Sequence, residues 1–230
     1  MTVVITGSSK GIGRYLSEYY LDKGFTVIGC SRKETDLVKE NYHHYQVDVS
    51  DEKSVKKFSA DVHKRFGKID VLINNAGAAS MNHFMFTPAS TAKRLMELNY
   101  LGTYHCVRAF VNLLKKSDAP RIVNFTTVAA PLALTGEIAY VASKSAVEAF
   151  TKVLAKEISQ FNITVNAIGP TPIDTDLIAR VPRAKIEGLL SSQAINRMGK
   201  FSDVSNVIDF FISPASDFIT GQIVYLGGIN

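Results

Sequence analysis

A chain of 230 residues with 46% hydrophobic content has enough apolar material for one substantial core, and no apolar run in it is long enough to span a membrane. The net charge of +5 is spread along the chain without an arginine-rich block, so neither a nucleic-acid partner nor a membrane surface is expected. Cys30 and Cys106 are too few for a disulfide framework, and no Cys/His spacing suggests a metal site, so the expectation is a cytoplasmic, metal-free protein forming a single domain over residues 1–230.

Short β-branched runs alternate with longer amphipathic ones. Strands are predicted at Val3 to Thr6, Thr26 to Cys30, His44 to Val47, Val71 to Ile73, Ile122 to Thr126, Ile163 to Ile168 and Ile223 to Leu226. Helices are predicted at Gly11 to Asp22, Asp51 to Phe66, Pro88 to Lys115, Glu137 to Gln160 and Ser202 to Phe211, with Pro88 as a helix start and Gly24 as a helix stop. Strands alternating with helices in this way imply an α/β fold with a parallel sheet covered on both faces. The stretch from Gly169 to Lys200, interrupted by Pro170, Pro172 and Pro182, has no clear period and is expected to form a substrate lid.

Directly after the first strand comes Thr6-Gly7-Ser8-Ser9-Lys10-Gly11-Ile12-Gly13. Glycines at a strand-to-helix turn let backbone N–H groups approach a pyrophosphate at the positive end of the helix, so a dinucleotide site is the natural reading. The second strand ends in Ser31-Arg32 with no carboxylate to hold a ribose 2′-hydroxyl. Arg32, helped by Lys10, suits a 2′-phosphate instead, which favours NADP(H) over NAD(H).

Tyr140-Val-Ala-Ser-Lys144 places a phenol and an ammonium one helical turn apart, shortly after the hydroxyls of Thr126 and Thr127. A phenol titrates near ~10 when unperturbed, and a neighbouring positive charge is the usual means of making it a useful acid. The same spacing recurs at Tyr19 and Lys23, so position in the fold has to separate the two pairs.

Together with Asn74-Asn75-Ala76-Gly77 and Asn99, these motifs occur in an order that resembles the short-chain dehydrogenase/reductase family of the common single-domain type, from Thr2 to Gly228. The resemblance implies a Rossmann-like doubly wound fold with a parallel seven-stranded sheet and helices on both faces. It also implies that Gly7, Ser9, Gly11, Ile12 and Gly13 line the pyrophosphate and that Asp48 and Val49 meet the adenine. Asn75, Ala76 and Gly77 would flank the adenosine side, with Pro170, Ile173 and Thr175 toward the nicotinamide. The implied reaction interconverts a carbonyl and a secondary alcohol by hydride transfer. Tyr140 would be its general acid/base, Lys144 the charge that lowers the phenol's pKa, Thr127 the donor to the substrate oxygen, and Asn99 the holder of a water leading to Lys144.

This chain departs from the family at Thr127, usually serine; at Thr171, usually glycine; and at Leu226, usually aspartate. The cleft is expected to draw on Met81, Phe84, Met85, Phe86, Leu132 and Leu134, and the lid's Arg180, Arg183, Lys185 and Arg197 suit an acidic or carrier-linked substrate. Resemblance extends to 3-oxoacyl-carrier-protein reductases, while a sugar or small ketone stays open. Small residues at Ala142, Ser143, Ala146 and Ala149 suggest close packing between subunits, and relatives of this type form homotetramers or homodimers. Two other functions remain: a non-catalytic dinucleotide sensor, and an epimerase or dehydratase using transient hydride transfer.

Overall fold

The computed structural model describes residues 1–179 and 181–229, so Arg180 of the lid lies outside the described residues. Seven strands form one parallel sheet in the order β3-β2-β1-β4-β5-β6-β7, comprising β1 (Thr2–Thr6), β2 (Thr26–Ser31), β3 (Tyr42–Gln46), β4 (Val71–Asn74), β5 (Arg121–Phe125), β6 (Thr164–Gly169) and β7 (Ile223–Tyr225). All seven predicted strands are present, with ends shifted by one or two residues. Because side chains alternate along a strand, Val3 and Ile5 of β1 face one layer and Val4 the other.

On the first face lie α1 (Gly11–Asp22) and α7 (Phe201–Ile212), whose Leu16, Tyr20, Ile208 and Phe211 pack with Val3 and Ile5. On the second lie α2 (Glu52–Phe66), α4 (Gly102–Leu114) and α5 (Ile138–Glu157), contributing Val55, Phe58, Phe110 and Leu154 around Val4 and Leu72. A sheet covered on both faces explains why its central strands read as continuous apolar runs. Both cysteines are free and buried, and burial pushes the Cys30 thiol up to about 12. Among the described residues no helix is long and apolar enough to cross a membrane.

Two predicted elements differ. The helix expected from Pro88 to Lys115 is broken into α3 (Ala89–Leu95), a π-helical turn at Met96–Leu101, and α4. The turn occurs at Asn99, whose buried carboxamide is held from outside the helix by Ala78 and Ser143. Such single π turns commonly mark functional sites. The stretch from residue 169 to 200 is not irregular throughout: it contains α6 (Arg183–Ser191), begun by Pro182, and a bridge from Ile173 to Gly199. Its prolines start or precede elements rather than preventing them.

The chain reverses its direction of winding between the neighbouring strands β1 and β4, so the connections leaving their carboxyl ends run to opposite faces of the sheet and leave a crevice between them. In open α/β sheets this crevice is where ligands bind.

Candidate active site

At the crevice, the turn after β1 is built for close approach. Gly7 has φ +70° and Gly11 has φ +55°, both in the left-handed region where glycine is favoured. A Cβ on Gly13 would lie 2.2 Å from the Gly7 carbonyl oxygen, so any side chain there displaces the turn. Asn75 clamps this turn from β4, donating through Nδ2 to the carbonyls of Thr6 at 2.9 Å and Gly7 at 3.3 Å. The Ala76 N–H donates to Thr6 Oγ1 at 3.0 Å. At the N-terminus of α1, Lys10 provides no side-chain cap, so the helix's first N–H groups remain open to an anion. Uncapped N–H groups beside a glycine cradle fit a dinucleotide pyrophosphate.

Around the cradle, Ile12, Asn75, Gly77, Ile173 and Thr175 share one cavity wall, and Pro170 joins them from the end of β6. Ser9 lies in the turn itself. Asp48 accepts through Oδ1 from the Ser50 backbone and hydroxyl, and the buried Val49 packs under Gly102 of α4. Arg32 is exposed and makes no ion pair among the described residues, while the Ser31 hydroxyl is held by His44 and the Lys33 carbonyl. Lys10, expected to join Arg32, instead pairs with Asp176 at 2.9 Å, an exposed contact that is cheap to break.

The cavity has a volume of about 530 Å³ and brings Tyr140, Lys144 and Thr127 to one wall. Tyr140 and Lys144 face inward from the first turns of α5, and Thr127 follows the end of β5. The Thr127 oxygen accepts from the Ala129 N–H at 3.2 Å, so its own O–H is left to donate on the cavity side, where it faces the Tyr140 phenol. Burial pushes the Tyr140 phenol up to about 12, partly offset by the Thr127 hydroxyl, with Glu137 adding to the rise. Lys144 is lowered to about 8 by burial, and its ammonium donates to the Phe125 carbonyl at 2.8 Å. The expected lowering of the phenol by Lys144 is therefore not expressed in this geometry, where desolvation dominates and the ammonium is engaged by backbone.

Asn99 is fully buried and acts as a bracket. Its Oδ1 accepts from the Ala78 N–H and its Nδ2 donates to the Ala78 carbonyl and to Ser143 Oγ, each at 2.9 Å. Its Oδ1 and the Lys144 ammonium both border Gly77, which keeps the carboxamide close to the lysine it is expected to reach through a water. Ser143 is likewise buried and donates to the Tyr140 carbonyl at 2.7 Å, so it does not belong to the outer small-residue face. The second tyrosine–lysine pair has a different use: Lys23 sits 4.4 Å over the Tyr19 ring beside Asp209, tying α1 to α7.

Of the expected cleft residues, Met81, Leu132 and Leu134 line the cavity, whereas Phe84, Met85 and Phe86 are exposed on a short 3₁₀ turn outside it. Thr171 is explained by a partner, because its hydroxyl donates to the buried Gln193 just beyond α6. Leu226 packs with the apolar layer that contains α7. Glu137 was not legible as a cavity residue, although its place three residues before Tyr140 was a usable signal. Among the described residues no cluster of side chains could hold a metal ion.

A glycine cradle, a clamp from β4 and a buried phenol beside a buried ammonium define a dinucleotide-dependent oxidoreductase. The chain belongs to the short-chain dehydrogenase family, whose model matches residues 1–185. It is similar to the 3-oxoacyl-[acyl-carrier-protein] reductase of Haemophilus influenzae, 30% identical over 98% of this chain and 96% of that protein. In structure it resembles the ligand-free aldohexose dehydrogenase of Thermoplasma acidophilum, with TM-score 0.89 and 31% identity over 99% of this chain and 93% of the other. It also resembles ElxO with NADP bound, with TM-score 0.88 and 28% identity over 98% and 96% of the two chains.

Proposed function

We propose that this protein is an NADP(H)-dependent oxidoreductase interconverting a carbonyl and a secondary alcohol, with Tyr140 as general acid/base. The observation that carries the reading is the meeting of Tyr140, Lys144 and Thr127 on one wall of a cavity that adjoins the glycine cradle. The dinucleotide, when bound, supplies or accepts the hydride. Gly7, Ser9, Gly11, Ile12 and Gly13 hold its pyrophosphate, Asp48 and Val49 its adenine, and Asn75, Ala76 and Gly77 the adenosine side. Pro170, Ile173 and Thr175 lie toward the nicotinamide. Arg32, which makes no ion pair among the described residues, takes the 2′-phosphate, and Lys10 joins it by leaving its exposed partner.

In carbonyl reduction, negative charge grows on the substrate oxygen and must meet donors already aimed at it. Thr127 donates to that oxygen, and Tyr140 passes its proton to it. The phenol enters the step protonated, as any phenol is at neutral pH, and burial reinforces this. Lys144, buried against the same wall, supplies the positive charge that steadies the phenolate once the proton has left. Asn99 holds Ala78 and Ser143, and through them the helix start that carries Tyr140.

The substrate is a small carbonyl or alcohol, and carrier-linked thioesters are among the candidates. The exposed apolar stripe along α5 and the start of α4 supports a homotetramer or homodimer, and the buried free thiols fit a reducing, cytoplasmic setting.

Two measurements test this. NADPH oxidation with a panel of ketones, aldoses and 3-oxoacyl thioesters is expected to show turnover in the native protein. Tyr140→Phe is expected to lose it by at least ~10²-fold while still binding NADPH by fluorescence titration. Equal activity in the variant sinks the mechanism; binding without turnover by the native protein points to a sensor, and isomerisation without net oxidation to an epimerase. Arg32→Asp is expected to reverse the cofactor preference toward NADH, and a variant that still prefers NADPH removes Arg32 from the phosphate site.

A further inference from the structure

Most polar side chains on the cavity wall are already committed to the protein. Asn75 serves the glycine turn, Thr126 donates to Glu148, Thr171 to Gln193, Thr175 to the Ile173 carbonyl, and Ser192 to the Leu189 carbonyl. Apart from the groups assigned to the reaction, the charged side chains on the wall among the described residues are Glu137, on the body, and Lys185, on α6 of the lid. The remainder is largely apolar, including Met81, Leu134 and Leu189. A polyhydroxylated substrate would leave most of its hydroxyls without partners there, at a cost for each.

The lid's cations also separate clearly. Arg183 pairs with Glu187 at 2.9 Å, and Arg197 with Asp203, both on the surface. Lys185 makes no ion pair among the described residues, and its ammonium lies 3.5 Å from Met81 Sδ inside the cavity mouth. Among the described residues the carboxylate on the cavity lining is Glu137, which is half-buried; burial raises its pKa and the charge of Lys185 offsets part of the rise, so the two groups sense each other without forming an ion pair.

Resting on the reading above, the geometry points to a substrate with an apolar body between its carbonyl and a terminal carboxylate, the carboxylate being held by Lys185. Lys185 is thus a specificity residue carried by the lid, and Glu137 is its competitor for that anion. In such a complex the Lys185 ammonium meets the carboxylate, and Ile186 and Leu189 of α6, which line the same cavity, meet the chain between.

The test uses the full-length protein with NADPH and two matched substrates: an oxo-acid whose carbonyl and carboxylate are separated by a run of methylene groups, and its primary amide. Native protein is expected to favour the acid by ~5-fold in kcat/KM, the effect of one partly exposed ion pair. Lys185→Met is expected to equalise the two and Lys185→Glu to favour the amide, the readout being the ratio of the two kcat/KM values within each variant. Glu137→Gln is expected to increase the preference for the acid. A preference untouched by Lys185→Met overturns the proposal, as does better turnover of an aldose than of either ketone, or a Lys185 effect confined to carrier-linked thioesters. If no carbonyl compound is reduced, calorimetry separates the two readings: Lys185-dependent binding of the oxo-acid keeps the anion site without the reductase, and absence of binding removes both.

Discussion

Tyr140 and Lys144 carry opposite electrostatic burdens from the same cause. Burial disfavours charge, which raises the phenol and lowers the ammonium. The lysine gives a measurable consequence. Below pH 8 both folded and unfolded chains carry the Lys144 charge, and the folded one bears the whole desolvation cost. Between pH 8 and its ordinary 10.5 the folded group is neutral while the unfolded group still holds its proton, and the advantage of that unfolded charge fades as pH approaches 10.5. Lys144→Met is therefore expected to be more stable than the native protein below pH 8 in chemical denaturation, with the difference shrinking over that window. A difference independent of pH would show that the lysine is not desolvated. The place of Thr127 after the fifth strand was legible. The bond from the Ala129 N–H that leaves its hydroxyl to donate on the cavity side was not, because that bond belongs to the turn's conformation.

At the scale of elements, α5 is seated by buried polar contacts that its sequence period does not reveal. Thr151 of α5 accepts from Asn124 of β5, which in turn accepts from Asn74 of β4, each bond 2.9 Å long. Ser143 connects the same helix to the π turn at Asn99. Ser143→Ala leaves one Asn99 N–H buried without a partner, and is expected to cost about 1–3 kcal/mol of unfolding free energy. A loss below about 0.5 kcal/mol, within the usual range of surface changes, would mean that the bracket is not needed. The helix broken at Asn99 was read as continuous because apolar spacing persists on both sides of it. Periodicity reports which face is buried, and it is insensitive to one extra residue taken up in a single turn. For α6 the converse holds: none of its residues is buried, so no clear apolar stripe announced it.

For the whole molecule, the outer surface of α4 and α5 is the face without a covering layer. Tyr104 packs on Phe150 with ring centroids 5.9 Å apart, and Val153 beside them is 56% exposed. Ala142, Ala146 and Ala149 share that side of α5 at helical spacing, and exposed apolar faces of this kind commonly meet other chains. Val153→Glu is expected to shift the protein toward smaller species in analytical ultracentrifugation, with the monomer's circular dichroism unchanged. An unchanged sedimentation coefficient would place the subunit contact elsewhere. By itself the sequence determined the strands, their parallel order of use, the glycine turn and the Tyr140–Lys144 pair, because hydrophobic period and glycine placement are local consequences of backbone geometry. Only the tertiary structure decided which polar groups are spent on the protein and which face a ligand. It freed Arg32 and Lys185, committed Asn99, Thr171 and Ser143, and set Phe84 to Phe86 outside the cavity. Those outcomes depend on partners distant in the chain, and no local pattern encodes them.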